Sequence, residues 1–379
     1  MSCQNCGYQN SPHAVTCLKC GHRLTPVNGD VNQQSRVQRR RQQSRRTTFS
    51  SRFRPQTLLG VLIAGVLLLG GGYIVGQLLW SSTTSATAES AGKNQVHKPA
   101  ASDSDAPMKA TQTFPTTTVT DLVAQATNGL AGQTSVAVMP LTGSQTVVLN
   151  NRAQRAGSLI TLFIMVTAFD QVHQNNWRMQ DRYTLRAADK VGGTGTLHTL
   201  PAGSQLTYAE ITKRMITESD NTAANIMLDR VGGFSAVNTE IAQLGLTDTK
   251  MARRLMDTAA LKAGHDNDTS VRDVATVLKR LANLRLISNK ADHAMLTFLK
   301  ANTDHSKLVK NLPTRATIYN KTGDYQAYGV QNDAAIVQNR QGTFIMTMMT
   351  ASGERTAQTV AMNDLGQALY RAILEQLAV

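Results

Sequence analysis

The stretch LTYAEITKRMITESDNTAANIMLDRVGG, Leu206 to Gly233, decides how the rest of this 379-residue chain is read. Helical periodicity predicts helices over 208–218 and 221–231, and Ser219-Asp220-Asn221 falls between them. Taken alone the tripeptide is a helix-capping sequence, since Ser, Asp and Asn satisfy the free N–H groups of a first helical turn. The Gly-rich run KVGGTGTLHTLPAGSQL, 190–206, leads into it as an irregular segment. No strand-then-helix context around Gly192, Gly193 and Gly195 supports a phosphate loop.

Outward from this stretch the chain alternates simply. A helical pattern covers Thr120 to Leu130, and SVAVMPL and QTVVLN follow as two strands about a Thr-Gly-Ser turn, which predicts a hairpin. RAGSLITLFIM, 155–165, opens an apolar helix at Ser158. Further helices are expected over 236–244, 270–284 and 288–301. RATIYNKTG, QAYGVQNDAAIVQ and TFIMTMMTA read as three strands, with a last helix over Thr356 to Leu377. Strands at both ends of a helical middle imply an α+β fold in which the terminal strands share one antiparallel sheet flanked by helices. Met346, Met348 and Met349 read as core; Asp333 reads as a residue pinning a strand edge; His173, His198, His265, His293 and His305 lack metal spacing.

Three short motifs now stand in order. Ser158 begins a helix, Ser219-Asp220-Asn221 follows 61 residues later, and Lys321-Thr322-Gly323 lies 102 residues beyond that, in a strand. In this order the region 116–379 resembles the class A β-lactamases and related penicillin-recognising serine hydrolases, whose set is S-x-x-K, S-D-N and K-T-G. The resemblance implies a β-lactamase/transpeptidase-like sheet flanked by helices and a substrate that is a β-lactam or a peptidoglycan-type amide. It also implies roles. Ser158 is the nucleophile, Ser219 shuttles a proton to the leaving nitrogen, and Asn221 holds the substrate's amide side chain. Lys321 with Thr322 binds a carboxylate beside Gly323, and the backbone N–H groups of Ser158 and Asp324 form the oxyanion hole. A serine in a first helical turn presents its hydroxyl to the positive end of the helix dipole.

The chain departs from the pattern at one decisive place. Three residues after Ser158 stands Thr161, where the family has a lysine on the same helical face. A threonine hydroxyl is no base at neutral pH, and general-base assistance is worth roughly 10²–10⁴ in rate. The expected position of the family's second base falls near Leu255. The nearest carboxylate, Asp257, either reaches a water or forms an ion pair with Arg253 or Arg254. Asp324 places a carboxylate beside the expected oxyanion hole. Two functions therefore stay open for this domain: a slow serine hydrolase, and a non-catalytic module that binds cell-wall peptides or β-lactams in the same groove. A scaffold role for the fold alone is a third.

The first 115 residues have a different character. Residues 1–56 hold ten Lys and Arg against Asp30, while 116–379 carry 26 basic and 21 acidic residues, so the basicity belongs to the N-terminal arm. Cys3, Cys6, Cys17 and Cys20, spaced C-x2-C-x10-C-x2-C with Gly7 and Gly21 after each pair, suit a tetrahedral Zn2+ site over 1–25; two disulfides are the alternative. The segment resembles the short zinc ribbons at the N-termini of many bacterial membrane proteins, which implies a structural zinc but is silent about purpose; a cytoplasmic protein partner of the ribbon belongs to the binding-module reading. The Arg-rich arm, 26–56, precedes TLLGVLIAGVLLLGGGYIVGQLLW, 57–80, which has no charged residue. As a helix of about 36 Å it would cross a hydrocarbon core of about 30 Å. A buried core helix and a cleaved signal peptide are the competing readings. Arg36 to Arg54 on one flank, with no Lys or Arg over 81–89, puts the N-terminus in the cytoplasm and the large domain outside a cell membrane. Nucleic-acid binding is not expected, because Arg runs beside a span act as topology signals. Residues 81–115, rich in Ser, Thr and Ala, form a flexible linker.

Overall fold

The computed structural model describes residues 108–111 and 113–376. The expected zinc ribbon, basic arm, span and most of the linker lie outside the described residues. Among those described, no helix is long and apolar enough to cross a membrane.

The hairpin and the three late strands form one five-stranded antiparallel sheet. β1 (Gln133–Pro140) pairs with β2 (Val147–Leu149), and two short two-stranded pairs lie apart from them, β3 (Gln154–Arg155) against β6 (Asp268–Thr269) and β4 (Arg182–Thr184) against β5 (Gln205–Thr207). β7 (Thr317–Tyr325), β8 (Val330–Gln338) and β9 (Thr343–Ala351) complete the sheet in the order β2-β1-β9-β8-β7. The two ends of the chain meet where β1 runs antiparallel to β9, Val136 opposite Met348.

The helices divide between the two faces because the strands alternate. Phe344, Met346 and Met348 of β9, with Val136 and Val138 of β1, pack on α1 (Thr116–Thr127) and α9 (Arg355–Tyr370), the last continuing as a π-turn over Arg371–Glu375. Ile345 and Met349 face the other way, into a larger core with α2 (Thr161–His173), α3 (Tyr208–Thr217), α4 (Asn221–Arg230), α5 (Gly233–Gln243), α7 (Val271–Ala282) and α8 (Asn289–Lys300). The small α6 (Thr258–Lys262) sits on the loop between α5 and α7. A strand period of two thus supplies both cores from one sheet. α2 is apolar nearly all round, with every residue from Thr161 to Phe169 buried, as a helix at the centre of a domain must be.

One expectation is corrected. Asp333 does not pin a sheet edge; it lies on β8, between β7 and β9, and is fully buried.

Candidate active site

Ser158 lies on a short 3-10 turn, Gly157–Ile160, that runs directly into α2. Gly157 has a φ of +53°, in the left-handed region a side chain disfavours, and so lets the chain turn sharply before the serine. The turn rests on β7. A Cβ at Gly323 would stand 2.7 Å from the Ala156 carbonyl oxygen, so the glycine of Lys-Thr-Gly permits this approach. From β8, Asn332 Nδ2 donates to the carbonyls of Arg155 and Ala156, at 3.0 Å each, and fixes the turn from below. Thr161 is buried and its Oγ1 donates to the Ser158 carbonyl at 2.7 Å, so its hydroxyl serves the backbone.

The opposite wall is the joint between α3 and α4. Ser219 holds a φ of +51°, an unusual conformation for a residue with a side chain. Asp220, fully buried, caps α4 through Ala223 N–H at 2.8 Å and accepts from Leu197 N–H at 2.6 Å. It thereby ties the Gly-rich run to the helix start, where Gly195 lies against it too closely for any Cβ. Asn221 donates from Nδ2 to the Gly192 carbonyl at 3.2 Å. The glycines of that run serve close packing around Ser-Asp-Asn.

Lys321 extends from β7 behind this joint and is wholly inaccessible to solvent. Its Nζ donates to Ser219 Oγ at 2.5 Å and to the Thr322 carbonyl at 2.8 Å. Burial and then the nearby Lys307 charge pull its pKa down to about 8, against the opposing pull of Asp304, Asp324 and Asp333. Lys307 is a buried cation too, bonded to Asp324 Oδ2 at 2.8 Å and within 3.8 Å of Asp304. Burial pushes the Asp333 carboxyl up to about 7 despite the Lys307 charge and an amide bond from Asn320. Burial also raises Asp304, but bonds from Ser306 and the Lys307 charge prevail and hold it below the usual carboxylate range.

The fourth boundary is the loop before α6. Asn225 of α4 bonds both backbone groups of Leu255, Nδ2 to O at 3.0 Å and Leu255 N to Oδ1 at 2.9 Å. An apolar side chain therefore occupies the position that the loop offers to the cleft. Asp257 forms neither of the ion pairs considered for it. Arg253 is bonded to Asp266, Arg254 forks onto Asp229, and Asp257 caps α6 through Ala260 N–H at 2.9 Å.

These walls enclose a cleft of about 370 Å³ onto which Ser158, Ser219, Asn221, Thr322, Asp324 and Asp257 all open. Lys321 lies one layer behind, and Gly323 beneath the Ser158 turn. A wider hollow of about 620 Å³ beside α1, lined by Gln125, Asn128 and Arg152, gathers no comparable chemistry. Sequence reasoning missed Asn332, Lys307 and Asn225, single polar residues whose partners lie far along the chain. Among the described residues, no group of His, Cys, Asp and Glu is arranged to hold a metal ion.

A serine at a helix start, a Ser-Asp-Asn joint and a Lys-Thr-Gly edge strand meeting over one antiparallel sheet define a β-lactamase-like serine hydrolase fold. The chain belongs to the β-lactamase enzyme family, whose model matches residues 115–373; that of a zinc-ribbon domain matches residues 2–24, which hold all four cysteines. A β-lactamase of Streptomyces albus G is 33% identical over 182 residues, covering 46% of this chain and 57% of that protein. An imipenem-hydrolyzing β-lactamase of Enterobacter cloacae is 31% identical over 144 residues, 37% of this chain and 49% of that one. The chain thus spans about half the length of the curated relatives it matches. Among solved structures, a β-lactamase from Sphaerobacter thermophilus superposes with a TM-score of 0.64 at 28% identity, over 70% of this chain and all of that one. PBP-A does so with 0.63 at 26%, over 69% and 97%.

Proposed function

We propose that the domain performs serine acyl transfer on a β-lactam or peptidoglycan-type amide, slowly and with a long-lived acyl-enzyme. The observation that carries this reading is the cleft itself, where Ser158, the Ser219 joint and the edge strand Thr322–Asp324 converge. Ser158 Oγ attacks the carbonyl and the C–N bond opens toward Ser219. Because β7 is the sheet's edge strand, its outward N–H groups have no sheet partner, and the Asp324 N–H with that of Ser158 is suited to hold the oxyanion. Asn221 and Thr322 line the cleft as contacts for the rest of the substrate. Slow release follows from Leu255, since no carboxylate stands at that point of the loop to activate a water. A solved PBP-A mutant, 25% identical to this chain, is an acyl-enzyme complex with penicillin-G, which supports a penicillin as the probe.

A specific observation favours a second reading. Thr161 leaves the Ser158 helix without a base, and on that reading the cleft is a binding site for such amides without turnover. Intact-mass spectrometry after incubation with benzylpenicillin separates the two. An adduct absent from Ser158→Ala supports acyl transfer; binding without any adduct supports the second.

For the remainder of the chain we propose a single-pass membrane anchor over 57–80, with the N-terminus cytoplasmic and the hydrolase domain outside. The uncharged apolar run and the one-sided Arg flank support this. Cys3, Cys6, Cys17 and Cys20 would hold a structural Zn2+, a donor set of four thiolates suited to that ion. Protease protection of intact cells tests the topology, and release of one zinc per chain on thiol titration tests the metal.

A further inference from the structure

If Ser158 is a nucleophile, something other than residue 161 must take its proton. Every carboxylate on the cleft is committed elsewhere. Glu218 accepts from Thr196 Oγ1 at 2.8 Å and pairs with Arg214. Asp257 caps α6, Asp304 accepts from Ser306 at 2.6 Å, and Asp324 is bonded to Lys307. Leu255 brings no ionisable group, and Thr161 is turned onto the backbone. What remains is the opposite wall, where a lysine with no solvent contact is hydrogen-bonded to a cleft-lining serine. Such a lysine cannot meet a ligand directly; its route to the cleft runs through Ser219 Oγ.

We propose that Ser219 and Lys321 together supply the base that Thr161 cannot, the Ser158 proton passing to Ser219 Oγ as the Ser219 proton passes to Lys321 Nζ. This rests on the reading of Ser158 as nucleophile. The Ser158 O–H bond breaks, its Oγ bonds to the substrate carbonyl carbon, and the C=O π pair moves onto the carbonyl oxygen. On collapse that pair re-forms C=O and the C–N bond breaks. The leaving nitrogen takes the proton of Ser219, which is replaced from the Lys321 ammonium. The products are the Ser158 ester and an N–H, with Lys321 neutral as at the start, so no further reactant is required. The neighbourhood suits a lysine that must give up its proton. Lys307 crowds it with like charge, while Asp304 beside Thr322, Asp324 on β7 and Asp333 on β8 keep the ammonium accessible as the returning acid. Lys321 is thus a positioning residue that acts through Ser219.

The test is the rate of Ser158 acylation by benzylpenicillin against pH, read by intact mass on the full chain. In the unmodified protein the rate should climb about tenfold per pH unit and level off near pH 8. Lys321→Met and Ser219→Ala should each lose about 10²-fold or more. Lys321→Arg keeps a charge and donors but never becomes neutral, so it should stay folded and equally slow. Thr161→Lys/Lys321→Met should regain acylation, because residue 161 then supplies its own base. A flat pH profile, or Lys321→Met and Ser219→Ala acylating within threefold of the parent, overturns the relay. No adduct in the parent overturns it as well. If Thr161→Lys then forms one, Ser158 is still the nucleophile and only the relay fails; if it forms none, the acyl-transfer reading falls too.

Discussion

The two walls of the cleft differ in their chemistry. On the Ser158 wall the turn that carries the proposed nucleophile is held by Gly157, Gly323 and Asn332, but the residue one helical turn on is a threonine whose hydroxyl serves the backbone. On the Ser219 wall the ionisable partner remains, buried and bonded to its serine. Scaffold and proton chemistry are therefore separable: backbone packing shapes the Ser158 turn with no base in it, whereas a buried lysine is tolerated only where groups satisfy it.

The largest expected effect restores the missing side of that comparison. Thr161→Lys should speed penicillin acylation beyond what the Ser219–Lys321 pair achieves, by up to about 10²-fold, measured as adduct formation in the stopped reaction; no change would mean that the walls differ in more than residue 161. Next comes the fourth boundary. Asn225→Ala removes both bonds to Leu255 and should lower stability by about 2–3 kcal/mol, seen in denaturant unfolding, with the loop before α6 exchanging amide hydrogens faster. Asp324→Asn leaves Lys307 buried beside only the more distant Asp304. Because Asp324 is itself 40% exposed, the expected cost is about 1–2 kcal/mol in the same assay. A loss of 4 kcal/mol or more would show that the pair carries the Ser219 wall.

The last effect, confined to high pH, lies away from the cleft and serves as its control. Glu240 of α5 is buried, and burial, then the Asp170 charge from α2, push its carboxyl up to about 7. A folded-state value above the ordinary one means that its contribution is intact below about pH 4.5 and is lost as pH rises through 7. Glu240→Gln should therefore leave stability unchanged at pH 4.5 and raise it by about 1–2 kcal/mol at pH 8, without altering the pH profile of Ser158 acylation.

Much of this architecture was legible in the sequence because it follows from periodicity. The late strands alternate, so that Met346 and Met348 fill one core and Met349 the other, and the helices flanking Ser-Asp-Asn follow from apolar spacing. The order of the three motifs groups Ser158, Ser219 and Lys321 without reference to the fold. What could not be read were contacts that depend on three-dimensional closure. Asn332 reaches Ala156 across 176 residues, and Lys307 meets Asp324 only because the segment after α8 passes behind β7. Asp333 misled because a charged residue in a strand suggests an edge, whereas here Asn320 and the neighbouring lysine let a carboxyl stay in the sheet's interior. Asp257 misled because two arginines precede it, and both had partners elsewhere.

The most direct measurement is the mass of the intact chain after incubation with benzylpenicillin, followed by peptide mapping. The account predicts an increase of one penicillin, on the peptide containing Ser158, that forms faster at pH 8 than at pH 6 and is absent from Ser158→Ala. An adduct on another residue, or none under conditions where Thr161→Lys also stays unmodified, would contradict it.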